Sequence, residues 1–121
     1  MSKRILVVED QEDNRQILRD LLGNAGYELI EAVDGDQALA AYAKQRPDLI
    51  LMDIQLPVLD GYETTRRIRT DPESKGIPII AVTSYALAGD EAKALAAGCD
   101  GYITKPYSPR ALLAKVQEYL V

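Results

Sequence analysis

The sequence contains no histidine, no tryptophan and no phenylalanine. Without histidine, Ser-His-Asp and Cys-His catalytic systems cannot be assembled, because each depends on an imidazole base. No glycine-rich motif of the form G-x-x-x-x-G-K-[ST] or G-x-G-x-x-G follows an apolar run, so the sequence gives no support for a nucleotide cradle. Without tryptophan and phenylalanine, the core has to be built from leucine, isoleucine, valine and alanine, with a few of the seven tyrosines.

Cysteine, long apolar runs and positive charge are also scarce. The one cysteine, Cys99, excludes an internal disulfide, fits a reducing compartment and is expected to be a packed core residue. No apolar run approaches a signal-peptide core or the roughly 20 residues of a membrane span, so we expect a cytoplasmic protein. The net charge of -5 argues against direct binding of nucleic acid or anionic membrane, and residues 66–69, which hold three arginines, are expected to form a solvated helix face.

What the sequence does contain is an alternation of short apolar runs and amphipathic stretches, repeated five times along 121 residues. We expect strands at residues 4–8, 27–32, 48–52, 78–82 and 101–104, and a helix after each, the fourth from about residue 86 to 97. Connections this short impose right-handed crossovers and a parallel sheet covered on both faces. The predicted fold is one α/β domain of the flavodoxin-like type, a three-layer (βα)5 sandwich with strand order 2-1-3-4-5.

Four of the predicted strands end at polar residues of different chemical types. Glu9 and Asp10 follow the first strand, Asp53 the third, Thr83 the fourth and Lys105 the fifth. In the predicted strand order these four strands are neighbours, so their carboxyl ends meet at one edge of the sheet. That edge is where ligands bind in open parallel α/β folds.

The three carboxylates suggest a cation. Two like charges about 4 Å apart repel by about 4 kcal/mol at an effective dielectric constant of 20, so Glu9, Asp10 and Asp53 cannot all be close and ionised without compensation. Hard oxygen ligands at an open edge suit Mg²⁺. The alternative for Glu9 and Asp10 is a solvated loop or a helix N-cap, which acidic side chains also favour.

Lys105 and Thr83 complete the set of reactive groups. Taken alone, each could be an ordinary residue at a strand end, but beside the acids Lys105 would serve as the counter-ion of an added anion and the Thr83 hydroxyl could donate to it. Pro106 makes the preceding peptide bond a candidate for the cis form. A carboxylate nucleophile with a metal, a lysine and a hydroxyl is suited to forming an aspartyl phosphate, and Asp53, at the end of the central strand, is the best-placed nucleophile.

Four segments in this order resemble the receiver domain of two-component response regulators, and the resemblance covers essentially the whole chain. They are Val7-Val8-Glu9-Asp10, Leu51-Met52-Asp53-Ile54-Gln55-Leu56-Pro57 with Asp60-Gly61, Ala81-Val82-Thr83-Ser84, and Tyr102-Ile103-Thr104-Lys105-Pro106.

The resemblance implies a role for each site residue. Asp53 would be the phosphoacceptor, and Glu9, Asp10, Asp53 and the backbone carbonyl of Gln55 would bind Mg²⁺. The resemblance further implies that Thr83 is the switch hydroxyl, Lys105 the phosphate-binding lysine and Tyr102 the aromatic residue that changes rotamer on activation. Gln55 and Tyr85 occupy positions that tune the lifetime of the phosphoryl group in the family.

The resemblance also implies partners. The donor would be a phosphohistidine of a sensor histidine kinase or a histidine phosphotransfer protein, which agrees with the absence of histidine from this chain. Residues 1–121 are expected to form a single receiver domain without an output domain, signalling to a downstream protein through the fourth helix, fifth strand and fifth helix. Such a protein is a phosphoacceptor that promotes its own phosphorylation and dephosphorylation, not an enzyme in the ordinary sense.

Two other functions remain open from the sequence. One is a receiver-like interaction module that works independently of phosphorylation, which the presence of Asp53, Thr83 and Lys105 argues against. The other is a metal-dependent phosphatase with an aspartyl intermediate. Such an enzyme would be expected to carry a second acid two residues after the nucleophile, where this sequence has Gln55.

Overall fold

The computed structural model describes residues 3–84 and 90–120. Its elements, in chain order, are β1 (Arg4–Val8), α1 (Glu12–Asn24), β2 (Glu28–Ala32), α2 (Gly35–Gln45), β3 (Leu49–Asp53), α3 (Gly61–Arg69), a 3-10 turn (Pro72–Gly76), β4 (Ile79–Thr83), α4 (Asp90–Ala97), β5 (Gly101–Thr104) and α5 (Pro109–Tyr119). The predicted start of the fourth helix near residue 86 lies outside the described residues. Among the described residues, no helix is both long and apolar enough to cross a membrane.

The five strands form one parallel sheet in the order β2-β1-β3-β4-β5, which confirms the predicted topology and flavodoxin-like fold. Asp53 and Thr83 belong to their strands as the last residues of β3 and β4, one position beyond the predicted ends. Asp53 pairs with Val82, and Thr83 pairs with Thr104, the residue before Lys105. The register therefore brings three strand ends to the same edge of the sheet.

The core lies in two layers, one on each face of the sheet. Alternate residues of β1 show the division, since Ile5 packs with α1 and α5 while Leu6 packs on the side of α2, α3 and α4. Strands β3 and β4 are buried at every position, as expected for strands covered on both faces. Each fully buried leucine or isoleucine contributes about 1.5–3 kcal/mol, so aliphatic side chains hold the sheet without phenylalanine or tryptophan.

Short polar side chains fix where three of the helices begin. Asp34, Asp60 and Ser108 accept hydrogen bonds from backbone N–H groups three residues ahead, at 2.8, 2.9 and 3.0 Å. Such a cap typically contributes about 1 kcal/mol. The start of α3 resembles a capping box in sequence, but the Glu63 carboxylate contacts Arg66 and Arg67 on its own helix.

Cys99 is only 5% exposed, and burial raises the pKa of its thiol to about 11. Because the thiolate is the nucleophile, we expect Cys99 to react with a disulfide reagent only when the protein unfolds. Absorbance from thiol exchange near neutral pH, with and without denaturant, measures this. Rapid labelling of the folded protein would contradict the packing described here.

Candidate functional site

The acidic residues predicted at two strand ends lie together. Glu9 and Asp10 follow β1, Asp53 ends β3, and the two strands are hydrogen-bonded neighbours. One carboxylate oxygen from each of the three residues can be chosen so that all lie within 4.8 Å of one another. Glu9 and Asp53 are each only 4% exposed, whereas Asp10 faces solvent. The cluster therefore has a buried floor and an open side.

Lys105 supplies the positive charge of this cluster. Its Nζ donates to Glu9 Oε1 at 2.9 Å and to Asp53 Oδ2 at 3.0 Å, so one ammonium bridges two buried carboxylates. The backbone N–H of Lys105 donates to the carbonyl of Thr83 at 2.7 Å, which continues the β4–β5 pairing up to the site. The Lys105–Pro106 peptide bond, a candidate for the cis form from the sequence, is cis.

Two opposed effects set the charge of Glu9. Burial favours its neutral form, but hydrogen bonds from Lys105 and from the backbone N–H of Gln11, together with the Lys105 charge, hold the pKa of Glu9 below its ordinary value. The pKa of Lys105 is raised, since the attraction of the two carboxylates outweighs its burial. Near neutral pH the pair is therefore Glu9 carboxylate and Lys105 ammonium.

Asp53 is held less well in its charged form. Burial raises the pKa of Asp53 to about 6, against the lowering effect of donors from the Gln55 backbone and Lys105, and the Glu9 charge adds to the rise. The pKa of Asp10 is also raised, by partial burial and by its neighbour Glu9. The cluster therefore carries more negative charge than Lys105 can balance, and it favours a further cation.

The remaining predicted residues lie on or just after strands β3, β4 and β5. Thr83 is buried at the end of β4, and Tyr102 on β5 packs half-buried against the core on the side of α2, α3 and α4. The Gln55 N–H donates to Asp53 Oδ1 at 3.0 Å, and the Gln55 side chain accepts from the Ser84 N–H at 3.4 Å. Gln55 thus connects the loops that follow β3 and β4. Tyr85 lies outside the described residues.

Two residues of the site had no individual role predicted from the sequence, although Gly61 belongs to one of the segments that carry the resemblance. Asn14, on the first turns of α1, donates from Nδ2 to Glu9 Oε1 at 3.2 Å. Gly61 approaches the backbone at Asp53 so closely that a Cβ built on it would lie 2.4 Å from the Asp53 carbonyl oxygen. The spacing of five residues between Glu9 and Asn14 gives no periodic signal, whereas a glycine directly after the N-cap residue Asp60 is a signal that could have been used.

The donor set fits a hard divalent cation. All the candidate ligands are oxygens, two of the three carboxylates are buried but only partly neutralised, and the exposed Asp10 leaves room for water on the open side. Mg²⁺ binds through a few carboxylates while keeping several waters, and among the described residues this cluster is the one group of acidic side chains arranged in that way.

Comparisons with known proteins agree with this geometry. The family profile described as "Response regulator receiver domain" matches residues 5–117. The chain is 44% identical over 120 residues to the polar-differentiation response regulator DivK of Brucella anthropi, covering 99% of this chain and 98% of DivK.

Solved structures give the same result. Chemotaxis response regulator CheY4 of Vibrio cholerae superimposes with a TM-score of 0.93 at 33% identity, covering 98% of this chain and 99% of CheY4. The receiver domain of sensor histidine kinase PA1611 from Pseudomonas aeruginosa, solved with a magnesium ion coordinated in the active site cleft, has a TM-score of 0.91 at 40% identity, with 99% and 98% of the two chains covered.

Proposed function

Because this chain belongs to the family of response regulator receiver domains, we propose that it is a phosphorylation switch of a two-component phosphorelay, with Asp53 as phosphoacceptor. The observation that carries the proposal is the bridging of Asp53 and Glu9 by Lys105 at the carboxyl edge of the sheet. Similarity along nearly the whole length of DivK supports a response regulator of the single-domain kind. The chain would be the acceptor in the reaction rather than an enzyme acting on a separate substrate.

In the proposed transfer, the Asp53 carboxylate attacks the phosphorus of a phosphohistidine in line with the leaving nitrogen. The new bond joins an Asp53 oxygen to phosphorus, and the phosphorus–nitrogen bond breaks with its electron pair remaining on the imidazole. With a pKa of about 6, Asp53 is mostly ionised near neutral pH and can act as the nucleophile. The phosphohistidine would be supplied by a sensor histidine kinase or a phosphotransfer protein, which agrees with the absence of histidine from residues 1–121.

Receiver domains generally bind Mg²⁺ at an acidic site, and here the ion would be held by Glu9, Asp10, Asp53 and the backbone carbonyl of Gln55. When bound, it would neutralise part of the charge of the acids and of the incoming phosphoryl oxygens. Lys105 has a complementary role, since its ammonium already contacts the side chain that becomes phosphorylated.

Phosphorylation would add a charge of about -1.5 to -2 beside Lys105 and Thr83. Charge-assisted hydrogen bonds from the Lys105 ammonium and the Thr83 hydroxyl to the new oxygens would favour an altered arrangement of the β4 end. Movement of Thr83 would in turn change the space available to Tyr102 on β5. A shift from 1:99 to 99:1 between two arrangements requires about 5.5 kcal/mol, and a few such bonds could supply much of it. The downstream protein would read the change on the surface of α4, β5 and α5.

An approach for the donor is open next to the site. A pocket of about 750 Å³ reaches Lys105 between α1 and the loop before α5, with Ile17, Pro106, Tyr107 and Pro109 among its lining residues. Ile17 is 52% exposed. The pocket gives an external group access to the Lys105 side of the site, next to the carboxylate that Lys105 contacts.

Incubation with Mg²⁺ and a small-molecule phosphodonor, followed by intact-mass measurement, tests the proposal. We expect a gain of one phosphoryl group in the parent protein and none in Asp53→Asn. Asp20→Asn, on the exposed face of α1, is the matched control and should be phosphorylated like the parent. No adduct under any condition would favour a phosphorylation-independent module. Rapid turnover of phosphate esters would favour a phosphatase.

A further inference from the structure

Glu9 is, like Asp53, a nearly fully buried carboxylate of the site, and the hydrogen bonds that it accepts are unequally distributed between its two oxygens. Oε2 accepts from the Gln11 N–H at 3.1 Å, while Oε1 accepts from both Lys105 Nζ at 2.9 Å and Asn14 Nδ2 at 3.2 Å. The Glu9 side chain is 5% exposed. Of the described side chains, Asn14 and Lys105 are the two whose hydrogen bonds to this carboxylate the structure shows directly.

The two donors differ in what the proposed reaction requires of them. Lys105 has to turn toward the phosphoryl group on Asp53, and in doing so it weakens its contact with Glu9. A carboxylate that stays buried while its cation moves away is strongly destabilised unless other donors remain. Asn14 is held by α1, so its amide does not have to move when Lys105 does.

We infer that Asn14 is a positioning residue of the phosphorylation site, which keeps the Glu9 carboxylate oriented toward the Mg²⁺ position when Lys105 changes partner. This inference rests on the proposed function. Asn14 also lines the pocket beside Lys105, so the residue contacts both the acidic cluster and that pocket. A neighbouring contact supports the same alignment, since Arg15 Nη1 donates to the Glu9 carbonyl at 2.8 Å and ties the end of β1 to α1.

The experiment compares Asn14→Leu, which has a similar shape without hydrogen-bond donors, with Asn14→Gln, which keeps an amide. Asn24→Leu makes the same chemical change at the exposed C-terminal end of α1 and serves as the control. Mg²⁺ affinity is measured by titration calorimetry near neutral pH, and thermal unfolding is measured without the ion.

Asn14→Leu is expected to weaken Mg²⁺ binding by about tenfold, the lower end of what loss of a residue that orients a metal ligand usually costs. Asn14→Gln should lie between Asn14→Leu and the parent, and Asn24→Leu should bind like the parent. The inference is overturned if the parent binds no Mg²⁺, if Asn14→Leu binds as tightly as the parent, or if Asn24→Leu is equally impaired. It is also overturned if the loss of affinity is matched by unfolding of Asn14→Leu at the temperature of the titration.

Phosphorylation by the small donor is followed in the same variants, so that the two proposals can fail separately. If the parent gains no phosphoryl group while Asn14→Leu still loses Mg²⁺ affinity, the proposed function fails and the role of Asn14 toward the ion stands. If the parent is phosphorylated and Asn14→Leu matches it in both affinity and rate, the proposed function stands and the role of Asn14 is wrong.

Discussion

Replacing Lys105 with methionine is expected to lower the free energy of unfolding by about 3 kcal/mol near neutral pH in the presence of EDTA. The methionine side chain keeps most of the packing of the lysine stem but leaves Glu9 and Asp53 without the ammonium that bridges them at 2.9 and 3.0 Å. Both carboxylates are nearly fully buried, so water cannot replace the lost donor. Urea denaturation monitored by circular dichroism measures the change. Lys93→Met, at an exposed position of α4, is the control and should cost little.

Saturating Mg²⁺ and lower pH should each reduce the stability that Lys105→Met loses relative to the parent. Saturating Mg²⁺ is expected to stabilise Lys105→Met more than the parent, because the ion then provides the main compensation for the acids. Lowering the pH through about 6 should reduce the loss, because Asp53 takes up a proton and no longer needs the ammonium. Folding raises the pKa of Asp53 from 3.8 to about 6. Protonation of Asp53 therefore stabilises the folded protein fully below pH 3.8, and this contribution is lost as the pH rises through about 6.

Adding Asp53→Asn to Lys105→Met should recover part of the stability, since one of the two uncompensated carboxylates is removed. An equal loss in Lys93→Met, or a loss in Lys105→Met that does not depend on pH or Mg²⁺, would show that packing of the lysine stem matters more than its charge. The double variant would then be no more stable than Lys105→Met.

The sheet and the acidic cluster were predictable because both depend on local patterns. Short apolar runs alternating with amphipathic stretches allow few topologies, and once the strand order is known, the residues at strand ends become neighbours. Asp53 and Lys105 are far apart in sequence, yet their proximity follows from the order of β3, β4 and β5. The boundaries of the strands were wrong by one residue at Asp53 and Thr83 because the predicted ends were placed at the last apolar residue of each run.

What could not be predicted is how the charges are shared. The division of the Lys105 ammonium between Glu9 and Asp53, and the different pKa directions of those two acids, depend on side-chain directions and burial that the sequence pattern does not contain. From the sequence alone, Asn14 is indistinguishable from the other polar residues on the solvent side of α1. The capping box at the start of α3 shows the same limit. Asp60 caps the helix, but the Glu63 carboxylate accepts hydrogen bonds from Arg66 and Arg67, which the sequence pattern does not indicate.

Gly61→Ala is expected to lower the free energy of unfolding by about 3 kcal/mol, at the upper end of the usual cost of overpacking, and to impair phosphorylation of Asp53. A Cβ at this position would lie 2.4 Å from the Asp53 carbonyl oxygen and 2.7 Å from the Ile54 Cα, both backbone atoms. That backbone cannot easily move away, because the Ile54 N–H donates to the Val82 carbonyl and the Gly61 N–H donates to the Ile54 carbonyl, each at 3.0 Å.

Gly23→Ala in α1 is the matched control, because no atom outside its chain neighbours and the adjacent backbone of its own helix lies within 4 Å of the added Cβ. There alanine should raise the free energy of unfolding by about 0.5–1 kcal/mol, through the lower entropy of the unfolded chain. Urea denaturation and intact-mass measurement after treatment with the phosphodonor are made on both variants. If both behave alike, the close contact at Gly61 does not constrain the site. If the free energy of unfolding falls in Gly61→Ala and rises in Gly23→Ala, and phosphorylation is reduced only in Gly61→Ala, then the start of α3 holds Asp53 in place. The contact responsible would be one that only glycine permits.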